Sequence, residues 1–479
     1  MRKRVFLGAR KAAAIALGIC GLLGGMASAA PQEHAQEELA REQGRIHAEA
    51  AKESAEVKSP RDLSVKVTEV VFTGQKRMTE DEVRGLLPEL KKETVNIKRL
   101  SRQIQMVNDT GSMKLGADFK PGAGGYRVTV SVEEKKSDHV NITVDNTGNY
   151  YSGDWRATLS YLSTNATHHA DSFGVAAVSS PGHWDDVKQA AVSYRMLFPK
   201  DAGALSVFAS WSDSNLGNVS LNDLYQYYAG GRGVAVGVHG QKYFSYTSRN
   251  KDILDIGIEH KSYENDNQMI WGGVPIPFDY DYQVTMLSAA YIHNDRSPHH
   301  SFTYNLGLAT NIEGDETKFR RVTPGSDKQF LLWKGGVSYQ YKTKGDWLIG
   351  LRAHGQYTKD NVVSSEQLGA GGLYTVRGFN ERTVSADTGL VGSFEVFTPE
   401  FIPNARFCLF ADYGTLHNNN ENYWGSETLG SVGLGFRYND AKHGLSLRVE
   451  YAKIVDDIRQ DLLGRQGHKN WNVVLTKSF

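Results

Sequence analysis

The feature that most limits what this chain can become is a series of sixteen short segments of alternating polarity filling the sequence from His139 to Phe479. They fall at about 139–146, 154–163, 171–180, 188–197, 204–212, 232–245, 251–263, 281–294, 300–312, 329–342, 346–358, 388–398, 405–414, 428–438, 444–454 and 470–479. Alternation sends successive side chains to opposite faces, so each segment has one apolar and one polar face. The connections carry a second pattern. Those after segments four, six, eight, ten, twelve and fourteen are short: PKDAG, TSRN, DRSPH, KTKGD, TPEFIPN and NDAKHG. Those after three, five, nine, eleven and thirteen are longer: the HWDDV region, NLGNVSLNDLYQYYAGG, EGDETKFRRVTPGSD, the stretch 359–387 and HNNNENYWGSETLG. An even number of strands with short turns at one end and long loops at the other describes a closed barrel with both chain ends in the periplasm. We therefore expect residues 137–479 to form a 16-stranded antiparallel transmembrane β-barrel.

Composition agrees with that fold class. Beyond the N-terminal segment no run of eighteen apolar residues exists, so helical membrane spans are excluded, whereas a closed barrel crosses a bilayer with half-apolar strands. The chain has 49 Gly, 23 Tyr and 19 Phe but 12 Pro in 479 residues, which suits strands ending at aromatic girdles. Its formal net charge is zero and no basic stripe is present, so nothing points to nucleic acid. The first residues are basic (Arg2, Lys3, Arg4, Arg10, Lys11), an apolar stretch runs from Ala12 to Ala27, and Ala27-Ser28-Ala29 has the small-x-small form of a cleavage site. Residues 1–29 are expected to be a signal peptide. Ile19 before Cys20 is too large for lipoprotein cleavage, and Cys408 is left as the one cysteine after maturation.

Residues 30–60 read as a polar helix or linker, rich in Ala, Glu, Gln, Lys and Arg with Leu39 and Ile46 too sparse to anchor it. Residues 61–136 read as a small α/β domain of order β-α-α-β-β. Here VKVTEVVFTG alternates, Thr79 and Glu82 have capping-box spacing, and Ile97, Leu100, Ile104 and Val107 fall on one helical face. Two further strands, joined at Pro121-Gly122, complete it.

The longest loop contains Gly371-Gly372 followed by Val376-Arg377-Gly378-Phe379, and the thirteenth strand contains Phe410-Ala-Asp412-Tyr-Gly414. A loop folded back into a lumen needs an attachment, and an arginine held there needs a counter-charge, so Arg377 and Asp412 are expected to pair inside the barrel. Gly378 and Gly414 would allow close backbone approach, and Phe379 would wedge the loop tip against the wall. These two motifs resemble those of two-partner secretion transporters of the haemolysin secretion/activation type, in the superfamily that includes the barrel-assembly insertases. The β-α-α-β-β unit is similar to that superfamily's periplasmic POTRA domain. The family usually carries two such domains, and this chain has room for one. The resemblance covers residues 65–479, and the segment 33–56 occupies the position of the family's pore-plugging helix.

The resemblance implies a monomeric barrel in outer-membrane lipid that exports an unfolded partner exoprotein such as a haemolysin or adhesin, docked first in the periplasm. By the same resemblance the docking edge is the strand Lys114–Phe119, including Leu115 and Ala117, beside the helix carrying Ile97, Leu100 and Ile104. An outer-membrane protein assembly factor and a passive porin are the alternatives. The chain has no G-x-S-x-G, H-E-x-x-H or P-loop, so we expect no enzyme, no cofactor and no metal, with His168-His169 and His299-His300 as turn residues.

Overall fold

The computed structural model describes residues 62–149, 152–222, 225–271, 274–277, 280–420, 425–458 and 468–479. The expected signal peptide and the polar segment 33–56 lie outside the described residues.

The described chain opens with a four-stranded sheet, ordered β2-β1-β4-β3, from β1 (Ser64–Thr73), β2 (Thr94–Asn96), β3 (Met113–Gly122) and β4 (Gly125–Glu134). The β1–β4 pair is parallel, so the chain must cross over between them. Two helices lie on that path, α1 (Glu80–Leu86) and α2 (Ile97–Asn108). Helix α1 starts where Thr79 and Glu82 cap each other: the Thr79 N–H donates to the Glu82 carboxylate at 2.6 Å, and the Glu82 N–H donates to the Thr79 hydroxyl at 3.3 Å. Leu86, Leu87, Leu100, Met106 and Val107 then pack on Phe72, Leu115, Val128 and Val130 in one core. Two details differ from expectation. The short β2 was not foreseen, because three residues are too few to show alternation. Pro121 and Gly122 lie within β3, paired with Tyr126 and Gly125, and the turn is Ala123-Gly124, where Gly124 has φ +78°.

A closed barrel follows. Its first eight staves are β5 (Asp138–Asp145), β6 (Arg156–Ser163), β7 (Ser172–Ser179), β8 (Val187–Phe198), β9 (Gly203–Asn222), β10 (Tyr225–Tyr246), β11 (Asn250–Trp271) and β13 (Tyr280–Arg296), with a short β12 (Val274–Pro277) at the tip of β11. The remaining eight are β14 (His300–Glu313), β15 (Leu331–Lys342), β16 (Leu348–Tyr357), β20 (Thr388–Phe397), β21 (Ala405–His417), β22 (Ser426–Asp440), β23 (Leu445–Asp456) and β25 (Trp471–Ser478). Pairing of β25 with β5 closes the sixteen staves.

Alternation sorts the two surfaces. Val140, Ile142, Leu159, Val175, Val192, Val236, Ile256, Leu308, Leu351, Phe394, Leu434 and Leu475 are exposed outward, while Asn141, Thr143, Thr158, Ser160, Gln189, Ser210 and Ser212 are buried inward. An apolar belt around a whole circumference exceeds what a water-soluble surface tolerates and matches a lipid-facing band. Aromatic pairs mark one margin, Trp333 beside Tyr357 and Tyr451 beside Trp471, and Tyr341, Trp347, Phe407 and Phe479 lie toward the other.

Sixteen staves stand where alternation placed them, but β9, β10 and β11 run to 20, 22 and 22 residues. NLGNVSLNDLYQYYAGG, expected as a loop, is largely strand: β9 and β10 continue their antiparallel pairing through it, with register shifts at Tyr225/Gln226 and Ala229/Gly230. At about 3.4 Å per residue and a tilt of about 45°, such strands rise over ~50 Å, well beyond a ~30 Å hydrocarbon core.

The small domain seats on the barrel end that holds Phe479. His168, in the turn after β6, lies 3.0 Å from Glu82, and Lys251 at the start of β11 pairs with Asp109. Ala170, Leu197, Ala202, Ala204 and Tyr243 extend the domain's core into the barrel rim.

Candidate functional site

The loop between β16 and β20 is folded into the barrel. Within it β17 (Leu368–Ala370) pairs with β19 (Val384–Ala386), and β18 (Gly378–Phe379) pairs with β24 (His468–Lys469), which reaches in from the last long loop. Between these pairs the chain turns sharply. The Gly372 N–H donates to the Val376 carbonyl at 3.0 Å, and the Thr375 hydroxyl donates to the Gly371 carbonyl at 2.7 Å. Gly371 and Gly372 have φ of +106° and +107°, a region that disfavours any side chain, and a Cβ on Gly372 would sit 2.1 Å from the Glu381 carboxylate.

Arg377 stands at the tip and is 1% exposed. Its Nε and Nη2 donate to the two oxygens of Asp412 at 2.6 and 2.7 Å, and its backbone N–H reaches Asp412 at 3.1 Å. Nη1 donates to Glu395 and to Glu450, both at 2.8 Å, and Nη2 to the Ser393 hydroxyl at 3.1 Å. Glu450 also accepts from Arg437, and from Arg448 at 2.8 Å. The guanidinium lies 3.5 Å above the Phe410 ring, which itself covers Gly433, where a Cβ would come within 2.2 Å of it. Three arginines and three carboxylates thus form one network, buried at Arg377, Asp412 and Glu450, that joins the loop to β20, β21, β22 and β23. A pairing this complete is what allows charges to be buried at all.

The structure brings together each residue that the two motifs singled out. Val376 and Phe379 are fully buried, the latter edge-on to His468 at 5.8 Å between ring centroids. Gly378 has φ +100°, with Ile454 3.1 Å from where a Cβ would be, and Gly414 lies under Val376 at 3.3 Å. Sequence reasoning missed Ser393, Glu395, Arg437, Arg448 and Glu450. Their signal was weak, since Glu395 and Glu450 stand out only once the inward face of their strands is known.

Further contacts hold the loop base and cover the wide end. Asp387 accepts from the Val362 N–H at 3.0 Å and the Asn419 N–H at 2.9 Å, and Lys261 on β11 lies 3.0 Å from Glu366. Helix α3 (Glu316–Val322), inside a segment expected as plain loop, packs Phe319 and Val322 with Val362, Val363, Tyr282 and Phe330. In this conformation folded-in loops occupy the lumen.

The docking residues are placed as follows. Strand β3 pairs on one side, with β4, and its other side is a sheet edge. Leu115 and Leu100 point into the core, 3% and 1% exposed, so they do not line an open groove. The edge groups of Leu115 are already engaged: its N–H donates to Asn108 Oδ1 at 2.6 Å and its carbonyl accepts from Asn108 Nδ2 at 3.0 Å. By the two-residue period, Ala117 and Phe119 present theirs to the same side, and both are half-buried. Lys114 is exposed, and Ile97 and Ile104 are half-buried along α2. Glu134 braces this domain. Burial opposes its charge, but N–H groups of Lys76, Met78 and Arg77 outweigh that and hold its carboxyl down at about 2. Among the described residues no cluster of acidic, His or Cys side chains is arranged to hold a metal.

A family model described as haemolysin secretion/activation protein ShlB/FhaC/HecB matches residues 124–438. The haemolysin transporter protein HpmB of Proteus mirabilis is 24% identical over 315 residues, covering 64% of this chain and 54% of that protein. The curated relatives are longer, and the chain spans between about half and two thirds of those it matches most strongly. Among solved structures, CdiB from Escherichia coli aligns with a TM-score of 0.69 at 16% identity, covering 93% of this chain and 97% of that one. BamA from Haemophilus ducreyi, lacking POTRA domains 1–3, aligns with a TM-score of 0.53 at 15% identity, covering 87% and 85%.

Proposed function

The chain belongs to the haemolysin secretion/activation family ShlB/FhaC/HecB, and from that premise we propose that it is an outer-membrane transporter that secretes an unfolded partner exoprotein through its barrel. The observation that carries this reading is the Arg377 loop, held inside a closed barrel by a single charged network while a small sheet domain sits at the end where the chain terminates.

In this reading the sheet domain is a POTRA domain in the periplasm. It captures an extended segment of the partner at the β3 edge, where Ala117 and Phe119 offer main-chain hydrogen bonds that tolerate varied sequence. The loop is the gate. Export requires it to leave the lumen, and release needs no chemistry, because the network is ionic and re-forms when the loop returns. No bond is made or broken, so the step is transport without catalysis, and folding outside the cell supplies direction. Segment 33–56, by its polarity and place in the chain, is assigned to the pore or its periplasmic mouth. The test is secretion of the partner exoprotein, together with the amount of heat-modifiable barrel, in cells carrying Arg377→Ala. Normal barrel with altered secretion supports the gate; unaltered secretion with the loop demonstrably released removes it.

One observation favours a second reading, an assembly factor that delivers strands sideways. The β25–β5 seam has five register pairs, from Val474↔Asp145 to Ser478↔Asn141, the shortest of the sixteen inter-stave pairings. Thr143 and Thr476 face each other across it at 3.0 Å. A disulfide between Thr143→Cys and Thr476→Cys, with Cys408→Ser, locks the seam. Secretion that survives the lock supports passage through the lumen, and its loss supports the lateral route.

A further inference from the structure

Where the sheet domain meets the barrel rim, a cleft of about 430 Å³ opens between α2 and the turn joining β8 to β9. Five basic side chains line it, Lys92, Arg99, Arg102, Lys200 and Lys242, with the acidic residues Glu89 and Asp201. Those acids answer only part of this charge. Glu89 is committed to Lys92 at 2.7 Å and to the Asn96 N–H at 3.1 Å, and Asp201 offers Lys242 its backbone carbonyl at 2.5 Å. Arg99, Arg102 and Lys200 have no side-chain hydrogen bond or ion pair among the described residues, and the Arg102 Nε is shut off from solvent without an acceptor. Buried donors are ordinarily satisfied, so this N–H calls for an acceptor, and three unpaired cations around one cleft favour a negatively charged one.

The cleft's height on the barrel says which anion. Lys242 pairs with Gly203, and Gly203 with Phe198, so Lys242 and Phe198 stand in one outward-facing row. Phe198, Leu205 and Phe244 beside it are exposed. One more outward aromatic, Phe244, follows toward the rim, where aromatic rings mark headgroup depth, so the basic cleft opens at the margin of the apolar belt, at the depth of the near leaflet's headgroups. We propose that this cleft binds the phosphate of an anionic phospholipid whose acyl chains lie along the belt at Phe198 and Leu205. A lipid held there bridges α2 to the rim and fixes the orientation of the docking domain relative to the pore. Basic pockets at a membrane surface recognise such headgroups by charge, and an acyl chain adds depth specificity that a soluble anion lacks.

The inference rests on the barrel's placement in a membrane, and its test separates the two. The full-length protein is purified in detergent with equal phosphatidylglycerol and phosphatidylcholine, and the bound lipid is read by native mass spectrometry. We expect one phosphatidylglycerol retained with at least a tenfold preference. That preference should fall to near parity in Arg102→Gln/Lys200→Gln and persist in Lys188→Gln, at the opposite end of β8, with all three heat-modifiable. Equal retention of the two lipids, or an unchanged preference in the double variant, overturns the proposal. Full displacement of the lipid by an equal concentration of inorganic phosphate identifies a free-anion site and overturns the lipid assignment. Loss of secretion in the double variant with lipid retention intact assigns the cleft to the partner instead. A chain that inserts into vesicles of neither lipid overturns the membrane reading itself.

Discussion

Arg377 ties the folded-in loop to Asp412, Glu395 and Glu450 on three staves, and its loss should be felt as an uncompensated excess of negative charge. Removing one member of a buried charge network leaves its partners buried and unpaired, which costs about 3–5 kcal/mol. Arg377→Ala should therefore release the loop while the belt and staves stay intact, seen as protease sensitivity at residues 364–387 in whole cells. Arg377→Lys should restore less than half of the protection, since an ammonium cannot make the paired bonds to Asp412. Glu134 gives a prediction in pH. Its carboxyl is depressed from 4.5 to about 2 in the folded domain, so the stability it contributes is full above about 4.5 and lost as pH falls toward 2. In Glu134→Gln the melting temperature of the domain should be lower at neutral pH and flatter than wild type between pH 5 and 2; identical slopes would contradict this. At this scale the Arg377–Asp412 pair was legible, because both residues sit in recognisable motifs. Glu395, Glu450 and the two arginines around them were not. They lie in strands with nothing unusual about them until the inward face is known, and it takes the register of β20 to β23 and the loop folded back on them to bring these residues to one point.

Secondary elements were more legible than side-chain networks, because alternation is a local property and survives without knowledge of partners. It failed at 215–231, where the sequence shows no sustained apolar alternation, so polarity alone cannot tell an extended hairpin from a loop. It failed again at α3, seven residues whose cap, Asp315, accepts from Thr317 and Lys318 but whose packing depends on Val362 and Tyr282, far along the chain. The β3 edge shows how the structure sharpens a sequence expectation. Pro at Leu115 or at Ala117 looked equivalent as a block to strand addition. Asn108 now separates them. Leu115→Pro breaks a native hydrogen bond and disturbs a core residue, so it should destabilise the domain by about 3 kcal/mol or more. Ala117→Pro removes an N–H directed at the open edge and should leave the domain folded while lowering partner secretion at least severalfold. Normal secretion with a folded Ala117→Pro domain would exclude strand addition at this edge.

At the scale of the whole molecule, two closures are superimposed: staves that seal against lipid, and loops that seal the lumen. The first is a continuous ladder and is costly to open, whereas the second depends on the Arg377 network and a modest apolar cluster. The pore is therefore expected to open by loop withdrawal, with the sixteen staves retained. The central claim is that the partner passes through this lumen, and the most direct measurement is site-specific photocrosslinking to a partner exoprotein arrested in transit. The crosslinker is placed in turn at inward Thr158 and Ser210, at outward Leu159 and Trp211, and at Ile142 and Leu475 on the outer face of the β5–β25 seam. Passage through the lumen gives adducts to the partner from the two inward positions and none from the outward ones. Adducts confined to Ile142 and Leu475 on the outer face of the β5–β25 seam, with none inside, would contradict it.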